Sequence, residues 1–125
     1  MTEGTMADSE QAEQPGQLSV IPTVSEGIRV LTLSGEVDHQ TGPTLRQALD
    51  INGTAGPRVV IDMRGVGFMD STGINILIAA HRDLTEAGGW LRLAGPTRAV
   101  LRTIQIVGLD TVIACHTTLR EALNT

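Results

Sequence analysis

Arg58-Val59-Val60-Ile61-Asp62-Met63-Arg64-Gly65-Val66-Gly67-Phe68-Met69-Asp70-Ser71-Thr72-Gly73 is the stretch whose reading decides the fold. Its start, Val59-Val60-Ile61, is a continuous β-branched run suited to an interior strand covered on both faces, so Arg58 to Met63 reads as a strand. Phe68-Met69 is a short apolar stretch placed like a strand end. A helix follows, from about Thr72-Gly73 to Ala87, with Gly88-Gly89 as its stop. Ile74, Leu77, Ile78 and Leu84 fall on the inner face of that helix, which leaves Asn75, Ile76, Ala79 and Arg82 facing elsewhere.

The same alternation extends in both directions. Upstream, Leu18 to Val20 reads as a short edge strand stopped by Pro22. Ile28 to Leu33 alternates apolar and polar residues at period two, and Ser34-Gly35 ends or bulges that strand. Thr41-Gly42-Pro43 opens a helix, with Thr41 or Gly42 as cap and Pro43 in the first turn. Leu45, Ala48 and Leu49 form its apolar face, and Asn52-Gly53 ends it. Downstream, Trp90 to Ala94 is a strand. Pro96-Thr97 opens a helix carrying Leu101, Ile104 and Ile106, closed by Gly108, and Val112 to Ala114 is a final short strand. Thr118 and Glu121 have capping-box spacing for a last helix through Leu123. Strands alternating with helices predict an α/β (α+β-like) domain: a mixed sheet with helices packed against it.

Length and composition bound the rest. The chain has 125 residues, enough for one domain and one core. Residues 1–17 are rich in Glu, Gln, Gly, Ser and Ala without apolar periodicity, and are expected to be a disordered tail before a domain spanning 18–125. Aromatic residues are scarce, so the core is built from Val, Ile, Leu and Ala. No apolar run approaches the roughly 20 residues that span a bilayer, and residues 1–17 lack the basic start and apolar stretch of a secretory signal, so none is expected. Cys115 stands alone, which suits a reducing compartment, so a cytoplasmic protein without membrane partners is expected. The formal charge is −5, and the chain contains Arg but no Lys. Scattered Arg and missing stacking aromatics argue against nucleic acid as a partner.

Asp70-Ser71-Thr72-Gly73 is the segment where chemistry can gather. It places two hydroxyls near a helix N-terminus, where free backbone N–H groups and the positive dipole end favour an anion. The plainer reading is that Ser71 or Thr72 caps the helix. A nucleophile elbow, G-x-S-x-G, lacks its first Gly here. His39, His81 and His116 are the available bases. His81 lies two to three turns beyond Ser71, whereas His39 can approach it in space. Surface or structural roles suit all three better. There is no metal-ligand spacing, and a P-loop is excluded without Lys. No cofactor is expected, and ordinary enzyme classes find no foothold.

Leu33-Ser34-Gly35-Glu36-Val37-Asp38 with Pro43-Thr44-Leu45 resembles the opening signature of STAS domains, more specifically of bacterial anti-sigma factor antagonists. Val59-Val60-Ile61-Asp62 and Phe68-Met69-Asp70-Ser71-Thr72-Gly73 resemble that family's central strand and phosphorylation loop. Val100, Arg102 and Gly108-Leu109 resemble its penultimate helix and following turn, so the resemblance runs from about Leu18 to Leu123. It implies a four- to five-stranded mixed sheet flanked by about four helices. It also implies that the unmodified protein binds an anti-sigma factor, a serine kinase with an ATP site, and so releases a sigma factor. That kinase would phosphorylate Ser71 and dissociate, and a phosphatase would restore binding. A STAS scaffold or transport-associated module without such a switch, and a serine hydrolase, remain the alternatives. The partner-binding residues expected on this basis are Asp38 and His39 in the loop after the second strand, Asp70, Ser71 and Thr72 in the phosphorylation loop, and Asn75, Ile76 and Arg82 on the helix. Ile76 would be the outward apolar contact, and Asp70 would orient the Ser71 hydroxyl.

Overall fold

The computed structural model describes residues 17–51 and 53–124. Apart from Gln17, the expected disordered tail lies outside the described residues. The elements, in order, are β1 (Leu18–Ser25), β2 (Ile28–Val37), α1 (Gly42–Ala48), β3 (Arg58–Met69), α2 (Ser71–Glu86), β4 (Trp90–Ala94), α3 (Arg98–Val107), a 3-10 turn (Leu109–Thr111), β5 (Ala114–His116) and α4 (Leu119–Asn124). The five strands stand side by side in chain order. β1 and β2 form an antiparallel hairpin, and β2 to β5 run parallel. The sheet is therefore mixed, as expected.

That order fixes where the helices go. Crossovers between parallel strands are right-handed, and here each one adds its strand on the same side of the last. The principal core accordingly lies on one face of the sheet. There Leu31, Leu33, Val59, Ile61 and Leu93 meet Leu45 of α1, Leu77 and Leu84 of α2 and Ile104 of α3. Among the described residues only α4 covers the other face, where Ala122 packs with Ile28, Val60 and Ala94. Because the strand order never reverses, the sheet has no switch-point crevice of the kind that holds ligands in doubly wound folds.

Several boundaries differ from the sequence expectation, each for a local reason. β1 runs through Pro22 to Ser25, because this edge strand pairs only with β2 and tolerates a missing donor. β2 continues to Val37, its register against β3 shifting on either side of Ser34 and Gly35. Gly35 has φ +122, and a Cβ there would strike the Gln17 carbonyl. β3 extends to Met69. Only Arg58 to Asp62 pair with β4, so its last part pairs with β2 alone. β5 begins at Ala114 because the 3-10 turn occupies residues 109–111 and Ile113 is buried in the core. Thr118 caps α4, accepting at Oγ1 from Glu121 N–H (3.1 Å), while the Glu121 carboxylate reaches one residue further back than in a capping box and accepts from Thr117 N–H (3.1 Å).

Candidate functional site

The carboxyl ends of β2 and β3 bring two loops together. Asp70 N–H donates to the Val37 carbonyl (3.1 Å), so the step from β3 into α2 is tied to the end of β2. The two elements meet closely because Gly73 lacks a side chain. A Cβ there would lie 2.5 Å from Met69 Cγ and 2.8 Å from Val37 Cγ1. Gly42 plays the matching role for α1, where a Cβ would lie 3.0 Å from Thr72 Cγ2 and 3.1 Å from Ile76 Cδ1. Small residues thus pull the starts of α1 and α2 into contact.

Asp70 is the helix cap. Its carboxylate accepts from Thr72 N–H (2.9 Å), satisfying one of the donors that a helix start leaves free. The cap is therefore neither hydroxyl, and in the free protein the Asp70 carboxylate is engaged with Thr72 N–H. Ser71 is the first residue of α2 and exposed, and its hydroxyl makes no hydrogen bond among the described residues. Thr72 is half-buried.

The neighbouring loop is closed by a reciprocal network. Asp38 Oδ1 accepts from the N–H groups of Gln40 (2.9 Å) and Thr41 (3.0 Å). Thr41 Oγ1 accepts from Asp38 N–H (2.9 Å) and donates to the Glu36 carbonyl (2.9 Å). Thr41 occupies the cap position of α1 without capping it, because its buried hydroxyl is turned back into this loop. Asp38 shapes the loop, and His39 projects from it exposed. Sequence alone offers Thr41 only as a cap; its pairing with Asp38 needs a folded loop to become visible.

The face of α2 differs from expectation at one position. Ile76 is 4% exposed and packs beneath α1 beside Gly42, whereas Ile78, expected inward, is 40% exposed. Helix α2 is covered on two sides, by the sheet and by α1, which widens its buried arc to include Ile76 and leaves Ile78 outside. Ser71, Asn75, Ile78 and Arg82 are all exposed and follow one another at helical spacing of four and three. Phe68, the chain's one Phe, is 48% exposed at the end of β3.

Other chemistries find little support near Ser71. His81 is about 15 Å further along α2 at 1.5 Å per residue, and its Nδ1 is buried with no hydrogen-bond partner. Burial, reinforced by the charge of Asp110, pushes the Cys115 thiol up and keeps it protonated. Among the described residues no cluster of His, Cys, Asp or Glu could hold a metal ion, and no helix is long and apolar enough to cross a membrane.

The chain matches the STAS domain family over residues 19–122. It belongs to that family. An anti-sigma-F factor antagonist of Mycobacterium tuberculosis is 30% identical over 112 residues, covering 87% of this chain and 89% of the relative. The anti-sigma-B factor antagonist of Bacillus subtilis is 29% identical over 83 residues, covering 66% of this chain and 76% of the relative. The crystal structure of an anti-sigma factor antagonist from Mycobacterium paratuberculosis superposes with a TM-score of 0.80 at 32% identity, covering 88% of this chain and 94% of the other. Within the STAS family, the chain thus groups with the anti-sigma factor antagonists, and Asp70-Ser71-Thr72-Gly73 sits on the strand-to-helix corner of that fold.

Proposed function

We propose that this STAS protein binds an anti-sigma factor that is itself a serine kinase, and that phosphorylation of Ser71 by that kinase, using ATP, ends the complex. The observation that carries this reading is the Ser71 hydroxyl. It is exposed at the first position of α2, without a protein partner, while the adjacent carboxylate is occupied as a cap. A kinase can reach such a hydroxyl without unfolding anything.

The electrostatics suit an on–off switch. A phosphoryl group adds about −1.5 to −2 charge at neutral pH. Inside the free protein, the helix dipole at the start of α2 offsets part of that charge. Inside an interface the phosphate must be desolvated beside Asp70, whose like charge opposes it. A penalty of about 3 kcal/mol weakens affinity more than about a hundredfold. A phosphatase acting on the exposed phosphoserine resets the state. The footprint in this reading comprises Asp38 and His39 on the first loop, Asp70, Ser71 and Thr72 at the corner, and the exposed stripe Asn75, Ile78 and Arg82. Ile78 takes the place expected for Ile76. The protein acts by binding, in the compartment where its kinase and sigma factor reside, which is the cytoplasm.

The test uses the organism's candidate anti-sigma kinases with ATP. One phosphate should appear on the wild-type protein and none on Ser71→Ala, and calorimetry should show the phosphorylated form binding at least about a hundredfold more weakly. Equal affinity of both forms for the kinase would overturn the switch.

A further inference from the structure

At the opposite end of the sheet from Ser71, the amino ends of β2 and β3 frame a second cleft of about 280 Å³ with a different chemistry. We propose that this cleft binds a small phosphate-bearing anion. Arg29 and Arg58 line it together with the Thr54–Pro57 loop. Neither is within ion-pair distance of a carboxylate among the described residues, where Arg64–Asp62 is the ion pair formed. Each makes one long hydrogen bond to a carbonyl, Arg29 Nη1 to Asp50 O and Arg58 Nη2 to Glu26 O, both 3.5 Å. A guanidinium carries five N–H donors in a planar fork suited to oxyanions, so most of that capacity is left over at both residues.

The surroundings fit the same ligand class. Among the described residues no carboxylate lines the cleft, although the whole chain carries a formal charge of −5. Strand register sends Arg29 toward the principal-core face and Arg58 toward the other, so the two cations reach the cleft at the strand ends from opposite sides, and an anion held there is attracted by both. Thr54 and the turn at Gly56, whose φ is +60, add polar groups to the lining, and Ile51 and Val59 add apolar ones. The fold also keeps Arg58 in place: its guanidinium lies over Gly27, where a Cβ would come within 2.6 Å of Nη2. The volume admits inorganic phosphate or a small phosphorylated metabolite and is below the usual range for drug-sized ligands. Strand β3 separates this cleft from Ser71 by on the order of 35 Å at about 3.3 Å per residue, so the proposal is independent of the phosphorylation switch.

The experiment is a titration of the full chain with inorganic phosphate at constant ionic strength, followed by amide and Arg Nε resonances. Saturable shifts should be confined to Gly27, Arg29, Thr54 to Gly56 and Arg58. Arg29→Gln and Arg58→Gln, each checked for a native spectrum, should bind about tenfold more weakly, as expected for losing one charge-assisted contact. Arg58→Lys should retain part of the affinity. Shifts that gather at Asp70 to Gly73, that never saturate, or that persist unchanged in both natively folded Gln variants would overturn the site.

Discussion

Asp70 stands between two roles, and its hydrogen bond decides which one it performs in the folded protein. Its carboxylate accepts from Thr72 N–H at 2.9 Å, and this bond rather than any contact with the Ser71 hydroxyl fixes its position. Removing a side-chain cap costs about 1 kcal/mol, while Asn caps nearly as well as Asp. Asp70→Ala should therefore lose about 1 kcal/mol in urea unfolding and Asp70→Asn only a few tenths. A loss of equal size in both variants would mean that charge, not the cap bond, is what Asp70 contributes. The division of labour also explains the order of the motif. The acid caps, the next residue keeps its hydroxyl exposed, and Gly73 two positions on lets the first turn settle against Met69 and Val37. The motif was legible in the sequence as a helix start with hydroxyls. Which of its three polar residues did the capping was not, because Asp, Ser and Thr are all favoured there.

At the scale of the element, α2 shows how periodicity can give the right helix and the wrong rotation. The helix was expected from about Thr72 to Ala87 and spans Ser71–Glu86. Its inner residues Ile74, Leu77 and Leu84 are buried as anticipated. Ile76 and Ile78 exchange places, and nothing local distinguishes them: both are Ile, two positions apart, on either side of Leu77. What separates them is the second contact surface, since Gly42 lets α1 approach close enough to enclose Ile76. A sequence read one helix at a time cannot see that neighbour. The two residues now make opposite predictions. Ile76→Ala deletes buried methyl groups and should destabilise the fold by about 2–4 kcal/mol. Ile78→Ala should change stability by no more than about 0.5 kcal/mol. In a partner-binding assay, Ile78→Ala should cost more than about 1 kcal/mol if the exposed stripe meets the kinase. Full affinity in a folded Ile78→Ala protein would remove the stripe from the footprint.

Across the whole molecule, the strand–helix alternation and a mixed sheet were readable because each element carries its own periodicity and punctuation. Strand lengths were harder. β3 was expected to end at Met63, yet it reaches Met69, because Gly65 and Gly67 interrupt the apolar pattern while the backbone pairing with β2 continues. Asp62 was visible only as the residue closing Val59-Val60-Ile61. In the structure it is a 1% exposed carboxylate on the sheet face opposite the principal core, gripped by Arg64 Nε (3.0 Å to Oδ1) and Nη2 (2.8 Å to Oδ2). Burial acts to push its carboxyl up. The side-chain and backbone hydrogen bonds from Arg64, together with that residue's charge, outweigh it and hold the group below its ordinary value of 3.8. A carboxylate whose folded pKa lies below its unfolded one stabilises the fold fully above the unfolded value and loses that contribution as pH falls through the folded value. The stability difference between wild type and Asp62→Asn should therefore be constant from neutral pH down to about 5, because an unfolded Asp titrates near 3.9. Below that it should shrink steadily, since the remaining carboxylates titrate alike in both proteins and cancel in the comparison. Urea unfolding at a series of pH values measures it, and a difference that stays constant to the acid limit would show that burial cancels the effect of Arg64, so that Asp62 titrates alike in the folded and unfolded chains.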